Sequence, residues 1–338
     1  VKKIAIIGAG SCGTALAIAL SRSRKPHRLS LWVHSADVLA SLREGRENSI
    51  YLPGMRITDE TEVTGDLRGA LAGAEIVLGV MPSAHARTVY TALSTHLNAR
   101  TAKEIIFVSA TKGLEHDSFA RMTEVIAEVI GKKFAPRVAA LSGPSFALEV
   151  ARGDPTAVVI ASGDLQVAVE IQREFSGSTL RLYTNDDVIG VELGGAVKNV
   201  IALAAGVCAG LGLGANTMAA LITRGLSEMT RLAVALGGRR DTLAGLAGLG
   251  DLVLTATGAL SRNRSVGMEL GKGRKLAEIL SHMRMVAEGV GTTSATLALA
   301  RKHNLDMPIT ERMHAVLHEG RAPSTAIREL MERRLTRE

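Results

Sequence analysis

A strand running straight into a glycine turn opens this chain: Ile4-Ala5-Ile6-Ile7-Gly8-Ala9-Gly10-Ser11-Cys12-Gly13-Thr14-Ala15-Leu16. An unbroken apolar run of this kind reads as a strand buried on both faces, the pattern of a parallel sheet covered by helices. In the G-x-G-x-x-G spacing each glycine has its own task. Gly8 permits the tight turn, Gly10 lets backbone approach a pyrophosphate, and Gly13 lets the next helix pack onto the strand. The helix N-terminus adds unpaired N–H groups and a positive dipole end. Glycine turns are common, and the strand before this one and the apolar helix after it are what make it a dinucleotide-binding fingerprint.

The residues that follow keep to the same plan. Further strands are expected at Leu29–Val33, Ile76–Val80, Ile105–Ser109, Val138–Leu141 and Ala157–Ile160, after a first at Lys3–Ile7, with Leu180–Tyr183 closing the sheet. From about Asp186 helix-period segments take over: Val188–Ala209, Thr217–Ala235, Ser265–Leu270, Leu276–Met283, Thr292–His303 and Ile309–Leu317. No clear strand is expected among them. The fold class is therefore an α/β, Rossmann-type doubly wound sheet followed by an all-α domain. Residues 1–185 form the expected dinucleotide-binding domain and 186–338 the helical substrate-binding domain. A chain of 338 residues with 46% apolar residues has ample material for two cores.

Composition narrows the partners. The formal charge is +7, and aromatic residues are only 3% of the chain, too few for base-stacking platforms. The basic tail Arg328, Arg333, Arg334, Arg337 is interleaved with Glu329, Glu332 and Glu338, which reads as a solvated helix face rather than a nucleic-acid arm. Small anions are the favoured partners. Cys12 and Cys208 suggest neither a disulfide framework nor a metal site, and a reducing cytoplasm is expected. No signal peptide is expected ahead of the first motif. Asn199 to Thr223 carries no formal charge, but Gly210-Leu211-Gly212-Leu213-Gly214-Ala215-Asn216 breaks it into two buried helices, and no membrane span is expected.

Polar residues gather where strands end. After the second strand comes His34, where NAD-binding chains usually carry an acid for the ribose 2′-hydroxyl. Without that carboxylate a 2′-phosphate is not repelled, so NADP is slightly favoured over NAD, although Asp37 lies near. Lys112, beside Gly113, offers a cation at the fourth strand's end. At the fifth, Ser142-Gly143-Pro144-Ser145 reads equally as a helix cap with Pro144 in the first turn or as an anion site. In the helical half, Lys198 and Asn199 interrupt the apolar run Gly194-Gly195-Ala196-Val197. Burial and a neighbouring cation would lower the lysine's pKa toward that of a general base. Asp251 is expected to pair with a lysine or a hydroxyl. Ser261-Arg262-Asn263 offers a planar fork and two neutral donors for a phosphate.

These residues together resemble the NAD(P)-dependent glycerol-3-phosphate dehydrogenases of bacteria. The blocks GAGSCGTALA, ATKGLE, SGPSFALEV, GVELGGAVKNVIALAAG, ITRGLSEM, AGLGDLVLT, SRNRSVGMELG, VAEGV and MPITE run in order along nearly the whole chain. The resemblance implies interconversion of sn-glycerol 3-phosphate and dihydroxyacetone phosphate for glycerophospholipid synthesis, in the cytoplasm and as a homodimer. It makes Lys198 the proton acceptor and puts Lys112 on both substrate and cofactor. Gly143, Ser145, Asp251, Ser261, Arg262 and Asn263 would hold substrate. Ser11, Cys12, His34, Ala147, Arg262, Val286 and Glu288 would join Gly8, Gly10 and Gly13 on the dinucleotide. Similar proteins usually carry Trp at the position of Cys12. Two other readings remain at this point: another Rossmann-plus-helical dehydrogenase of the ketopantoate reductase kind, or a catalytically silent NADP-binding sensor.

Overall fold

A computed structural model describes residues 1–98, 102–283 and 285–334. Arg337 and Glu338 of the basic tail lie outside them. Ten strands are found among the described residues: β1 (Lys2–Ile7), β2 (His27–Trp32), β3 (Glu47–Asn48), β4 (Leu52–Arg56), β5 (Glu62–Thr64), β6 (Ile76–Gly79), β7 (Ile106–Ser109), β8 (Arg137–Ser142), β9 (Thr156–Ala161) and β10 (Leu180–Asn185). Eight of them form one sheet in the order β10-β9-β8-β7-β6-β1-β2-β5, while β3 and β4 make a separate hairpin. Within the eight-stranded sheet pairing is parallel except between β8 and β9. The chain leaves β1 for β2 on one side and later returns to place β6 on the other. A crevice opens at that switch point, beyond the carboxyl ends of the strands, where ligands of such sheets bind.

The seven expected main-sheet strands are all present, within one or two residues of the expected bounds. The eighth, β5, and the β3–β4 hairpin were not anticipated. Both are short, and Leu52–Arg56 contains Pro53 and Gly54, residues that weaken a strand pattern. The sheet packs a core on each face, one around Ile4, Ile6, Leu31 and Leu78, the other around Ile7, Val77, Phe107 and Tyr90.

The second half is helical throughout its described residues. Its axis is the helix Val188–Gly210, buried from Gly190 to Cys208. This is the one helix among the described residues long and apolar enough to cross a membrane, and 89% of its most apolar window is buried within the protein. A short turn then leads into Ala215–Ala235, as the glycine-rich break predicts. Three further helices go beyond the sequence reading, at Arg240–Ala244, Leu246–Gly250 (a π turn) and Asp251–Thr257, while Pro323–Met331 carries Arg328 and Glu329 of the tail read as a helix face.

Candidate active site

Gly8 follows β1 with φ +116°, a conformation that side chains rarely adopt, and a Cβ there would stand 2.3 Å from the Val80 carbonyl. A Cβ on Gly13 would stand 1.8 Å from the Gly8 carbonyl, so the helix Ser11–Ser21 lies against the turn only because position 13 is bare. Gly10 differs: a Cβ there meets nothing within 4 Å, leaving the approach to the backbone open. Gly10 caps this helix without a side-chain hydrogen bond, and no acidic residue occupies the first turn. Unclaimed N–H groups at a positive dipole end fit a pyrophosphate. Ser11 and Cys12 lie in that first turn. His34 is exposed just past β2, its ring 5.7 Å from that of Trp32. Asp37 sits in the first turn of the next helix.

Across the crevice stands Lys198, 5% exposed in the middle of Val188–Gly210. It does not reach out to solvent. Its Nζ donates to Asp251 Oδ1 at 2.5 Å and to Thr255 Oγ1 at 2.7 Å. Lys112, at the end of β7, donates to Asp251 Oδ2 at 2.7 Å and to the Gly143 carbonyl at 2.7 Å, with Ser145 Oγ at 3.4 Å. One buried carboxylate therefore sits between two ammoniums. Burial drags Lys198 from its ordinary 10.5 to about 8; Asp251 opposes that fall and the Lys112 charge assists it. Burial pushes Asp251 upward, but the two lysines together outweigh it and hold the carboxyl below its ordinary range. The Gly8 turn lies against the Val80 carbonyl, the Thr111 hydroxyl donates to the Met81 carbonyl at 2.8 Å, and Lys112 follows Thr111, so the glycine turn and the lysine pair border one crevice.

Bare positions on the central helix make this contact possible. A Cβ on Gly195 would lie 2.5 Å from Ser142 Oγ, and one on Gly194 would lie 2.5 Å from the Ala247 carbonyl. Ser142 does not cap a helix, contrary to one expectation. The next helix begins at Ala147 with Phe146 before it, and Ser142 Oγ is buried without a hydrogen-bond partner. Ala147 is half-buried at that helix start.

The expected phosphate block opens the helix Arg262–Gly271. Ser261 is its cap, accepting the Arg264 N–H at 3.2 Å. Asn263 donates to Asn199 Oδ1 at 3.0 Å and accepts the Gly289 N–H at 3.0 Å, which leaves one amide hydrogen for a ligand. Much of what reads in sequence as ligand-binding polarity thus joins three helices. Arg262 is half-buried, and its charge acts on Glu288. Glu288 reaches back to the sheet, accepting the Ser83 N–H at 3.0 Å and its hydroxyl at 2.6 Å. Burial pushes Glu288 upward despite these bonds. Val286, just before it, is 48% exposed.

Lys112, Gly143, Ser145, Lys198 and Asp251 thus lie in direct contact or one residue from it, with Arg262 and Glu288 together at another point of the crevice. His34 stands apart at the β2 edge. Two residues were missed. Thr255 lies four positions after Asp251 on one helix, a spacing that puts both on one face and could have flagged it. Ser83, just past β6, was given no role in the sequence reading. Among the described residues no group of three or more His, Cys, Asp or Glu is placed to hold a metal ion.

A glycine-turn anion cradle facing a buried lysine of lowered pKa, on a doubly wound sheet joined to a helical half, defines a nicotinamide-dinucleotide dehydrogenase. Residues 3–168 and 187–328 match the models of the NAD-dependent glycerol-3-phosphate dehydrogenase N-terminus and C-terminus. A glycerol-3-phosphate dehydrogenase (NAD(P)+) of Koribacter versatilis is 58% identical over 337 residues, covering 99% of this chain and 98% of that one. The crystal structure of glycerol-3-phosphate dehydrogenase from Coxiella burnetii superposes with a TM-score of 0.91 at 42% identity, over 98% of this chain and 99% of that one. A ketopantoate reductase from Ralstonia eutropha, 17% identical with a TM-score of 0.59 over 96% and 99%, shares the fold alone. The chain belongs to the NAD-dependent glycerol-3-phosphate dehydrogenase family and is an NAD(P)-dependent oxidoreductase.

Proposed function

We propose that this enzyme interconverts sn-glycerol 3-phosphate and dihydroxyacetone phosphate, with Lys198 carrying the proton. The observation that carries this reading is a buried ammonium, held by Asp251 and Thr255 in the same crevice as the glycine turn, with its pKa lowered to about 8. The nicotinamide supplies the capacity to take or give a hydride at the substrate's C2. Gly8, Gly10, Gly13, Ser11 and Cys12 would hold the dinucleotide, with His34, Ala147, Lys112, Arg262, Val286 and Glu288 around it. NADP is favoured over NAD because His34 places no carboxylate against a 2′-phosphate.

Neutral Lys198 takes the C2 hydroxyl proton in the oxidative direction, and its ammonium protonates the oxygen in the reductive one. Asp251 keeps the amine in place, and Lys112 presents a second cation together with Gly143 and Ser145. Arg262, the free Asn263 hydrogen and the helix start capped by Ser261 provide donors for the phosphate. We place the border between the dinucleotide domain (1–185) and the substrate domain (186–338) in the link between β10 and the central helix. A cytoplasmic homodimer supplying glycerol 3-phosphate to glycerophospholipid synthesis completes the proposal.

Reduction of dihydroxyacetone phosphate, followed by absorbance with NADPH and NADH side by side, tests the reaction and the preference together. Lys198→Ala should lose about 10²- to 10⁴-fold in kcat while still binding the dinucleotide. Near-normal turnover in that variant would remove Lys198 from the chemistry.

A further inference from the structure

Asn48 belongs to the β3–β4 hairpin, far from the glycine turn in sequence, and it is completely buried. Its Nδ2 donates to the Ala9 carbonyl at 2.8 Å and to Thr14 Oγ1 at 2.9 Å. Its Oδ1 accepts the Tyr51 N–H at 3.0 Å. The partners fix which way the amide points. A carbonyl only accepts and a backbone N–H only donates, so nitrogen must face Ala9 and oxygen must face Tyr51.

Ala9 is the middle residue of Gly8-Ala9-Gly10, and Thr14 is the fourth residue of the helix that the turn opens. One side chain therefore ties the turn to its helix. The Ala9–Gly10 peptide is planar and trans, so a carbonyl held toward Asn48 turns the Gly10 N–H to the opposite side. Rotation of that peptide would instead aim a carbonyl oxygen at an incoming anion. Side-chain packing does not brace the turn at Gly10, where a Cβ would meet nothing within 4 Å. The brace comes from the hairpin.

We propose that Asn48 is a positioning residue for the dinucleotide, pinning the Ala9 carbonyl and the Thr14 hydroxyl so that the Gly10 N–H faces the pyrophosphate. The inference rests on the reading that the cofactor's pyrophosphate lies on the glycine turn. It gives the short hairpin, which carries none of the chemistry, a share in cofactor affinity.

Asn48→Ala and Asn48→Asp test it. The aspartate keeps an acceptor for Tyr51 but, ionised, has no hydrogen for Ala9. In both variants the NADPH dissociation constant, from fluorescence titration, and the KM for NADPH should rise about tenfold or more. The kcat at saturating cofactor and the KM for dihydroxyacetone phosphate should stay within about threefold of the parent. If the alanine variant does not fold, the aspartate variant decides. Parent-like NADPH binding in a folded variant would overturn the proposal. So would a loss of kcat, of both KM values and of melting temperature in parallel, because that pattern belongs to a purely structural residue. If the parent itself bound neither NADPH nor NADH, the cofactor reading would fall as well, and this arm, run with whichever dinucleotide the parent binds, separates the two failures.

Discussion

At the scale of single residues, the economy of the site lies in Asp251, 1% exposed and shared by two lysines. A buried carboxylate without partners would cost several kcal/mol, and a buried ammonium likewise. Packed together they neutralise one another, yet Lys198 still comes out near 8 because its burial is nearly complete. The sign of the pH response follows. Below about 8 the ammonium dominates and protonates the ketone oxygen; above it the free amine dominates and can take a proton. Reduction of dihydroxyacetone phosphate should therefore decline as pH rises through about 8, while oxidation of glycerol 3-phosphate climbs over the same interval. Asp251→Asn removes a charge that raises Lys198, so both midpoints should move to lower pH. Profiles of kcat/KM against pH in both directions check this, and unmoved midpoints would count against the pairing. Lys198 and Asp251 were legible in sequence because a charge inside an apolar run demands a partner. Asn48 and Ser83 were not, because each meets its deciding partner far along the chain, Asn48 at the Ala9 carbonyl and Thr14 hydroxyl and Ser83 at the Glu288 carboxylate.

At the scale of elements, the helix carrying Ser261–Asn263 is seated on the central helix along a seam of glycines. A Cβ on Gly206 would lie 2.0 Å from the Arg264 carbonyl, and one on Gly267 would lie 2.0 Å from the Leu203 carbonyl. Gly210 and Gly271 repeat the contact one turn on, at 2.2 Å from the Met268 carbonyl and 2.6 Å from the Val207 carbonyl. Backbone meets backbone, so the distance between the two helices is set by what is missing. Gly267→Ala must push them apart and should cost about 1–3 kcal/mol of stability. The displaced helix carries the phosphate block, so the KM for dihydroxyacetone phosphate should rise more than the KM for NADPH. Denaturant titration and steady-state kinetics together check this, and an unchanged midpoint would show that the seam can yield. The sequence announces long periodic helices and apolar strands well. It conceals β5, the hairpin and the π turn Leu246–Gly250, because a segment of two to five residues is too short to show a period.

At the scale of the whole molecule, the two halves are joined by polar contacts as well as by packing. Arg121, from the sheet half, donates to Glu192 Oε2 of the central helix at 2.7 Å. Thr123 adds its N–H at 2.9 Å and its hydroxyl at 2.5 Å. Burial nevertheless pushes the Glu192 carboxyl above its ordinary range. Arg121→Met leaves that carboxylate without its cation. The stability of such a variant is fullest at acid pH, where Glu192 is protonated in both folded and unfolded chains, and it declines as pH rises past the unfolded carboxyl value. The stability of Arg121→Met, read by denaturant titration, should therefore fall further below the parent as pH is raised past the unfolded carboxyl value toward neutrality, by about 3–5 kcal/mol at most. Arg121→Met with Glu192→Gln should recover much of that loss, and a pH-independent difference would refute the account. Ser83 to Glu288 and Lys112 to Asp251 are two more such ties. Between these ties Ala140, Val159 and Ala161 of the sheet half pack against Val191 and Ala247 of the helical half, so the crevice is bordered by apolar contact as well as by charge. Of the three ties, the one at Glu288 closes over the crevice from the helical side, so whatever enters there passes beside a carboxylate already committed to the sheet half.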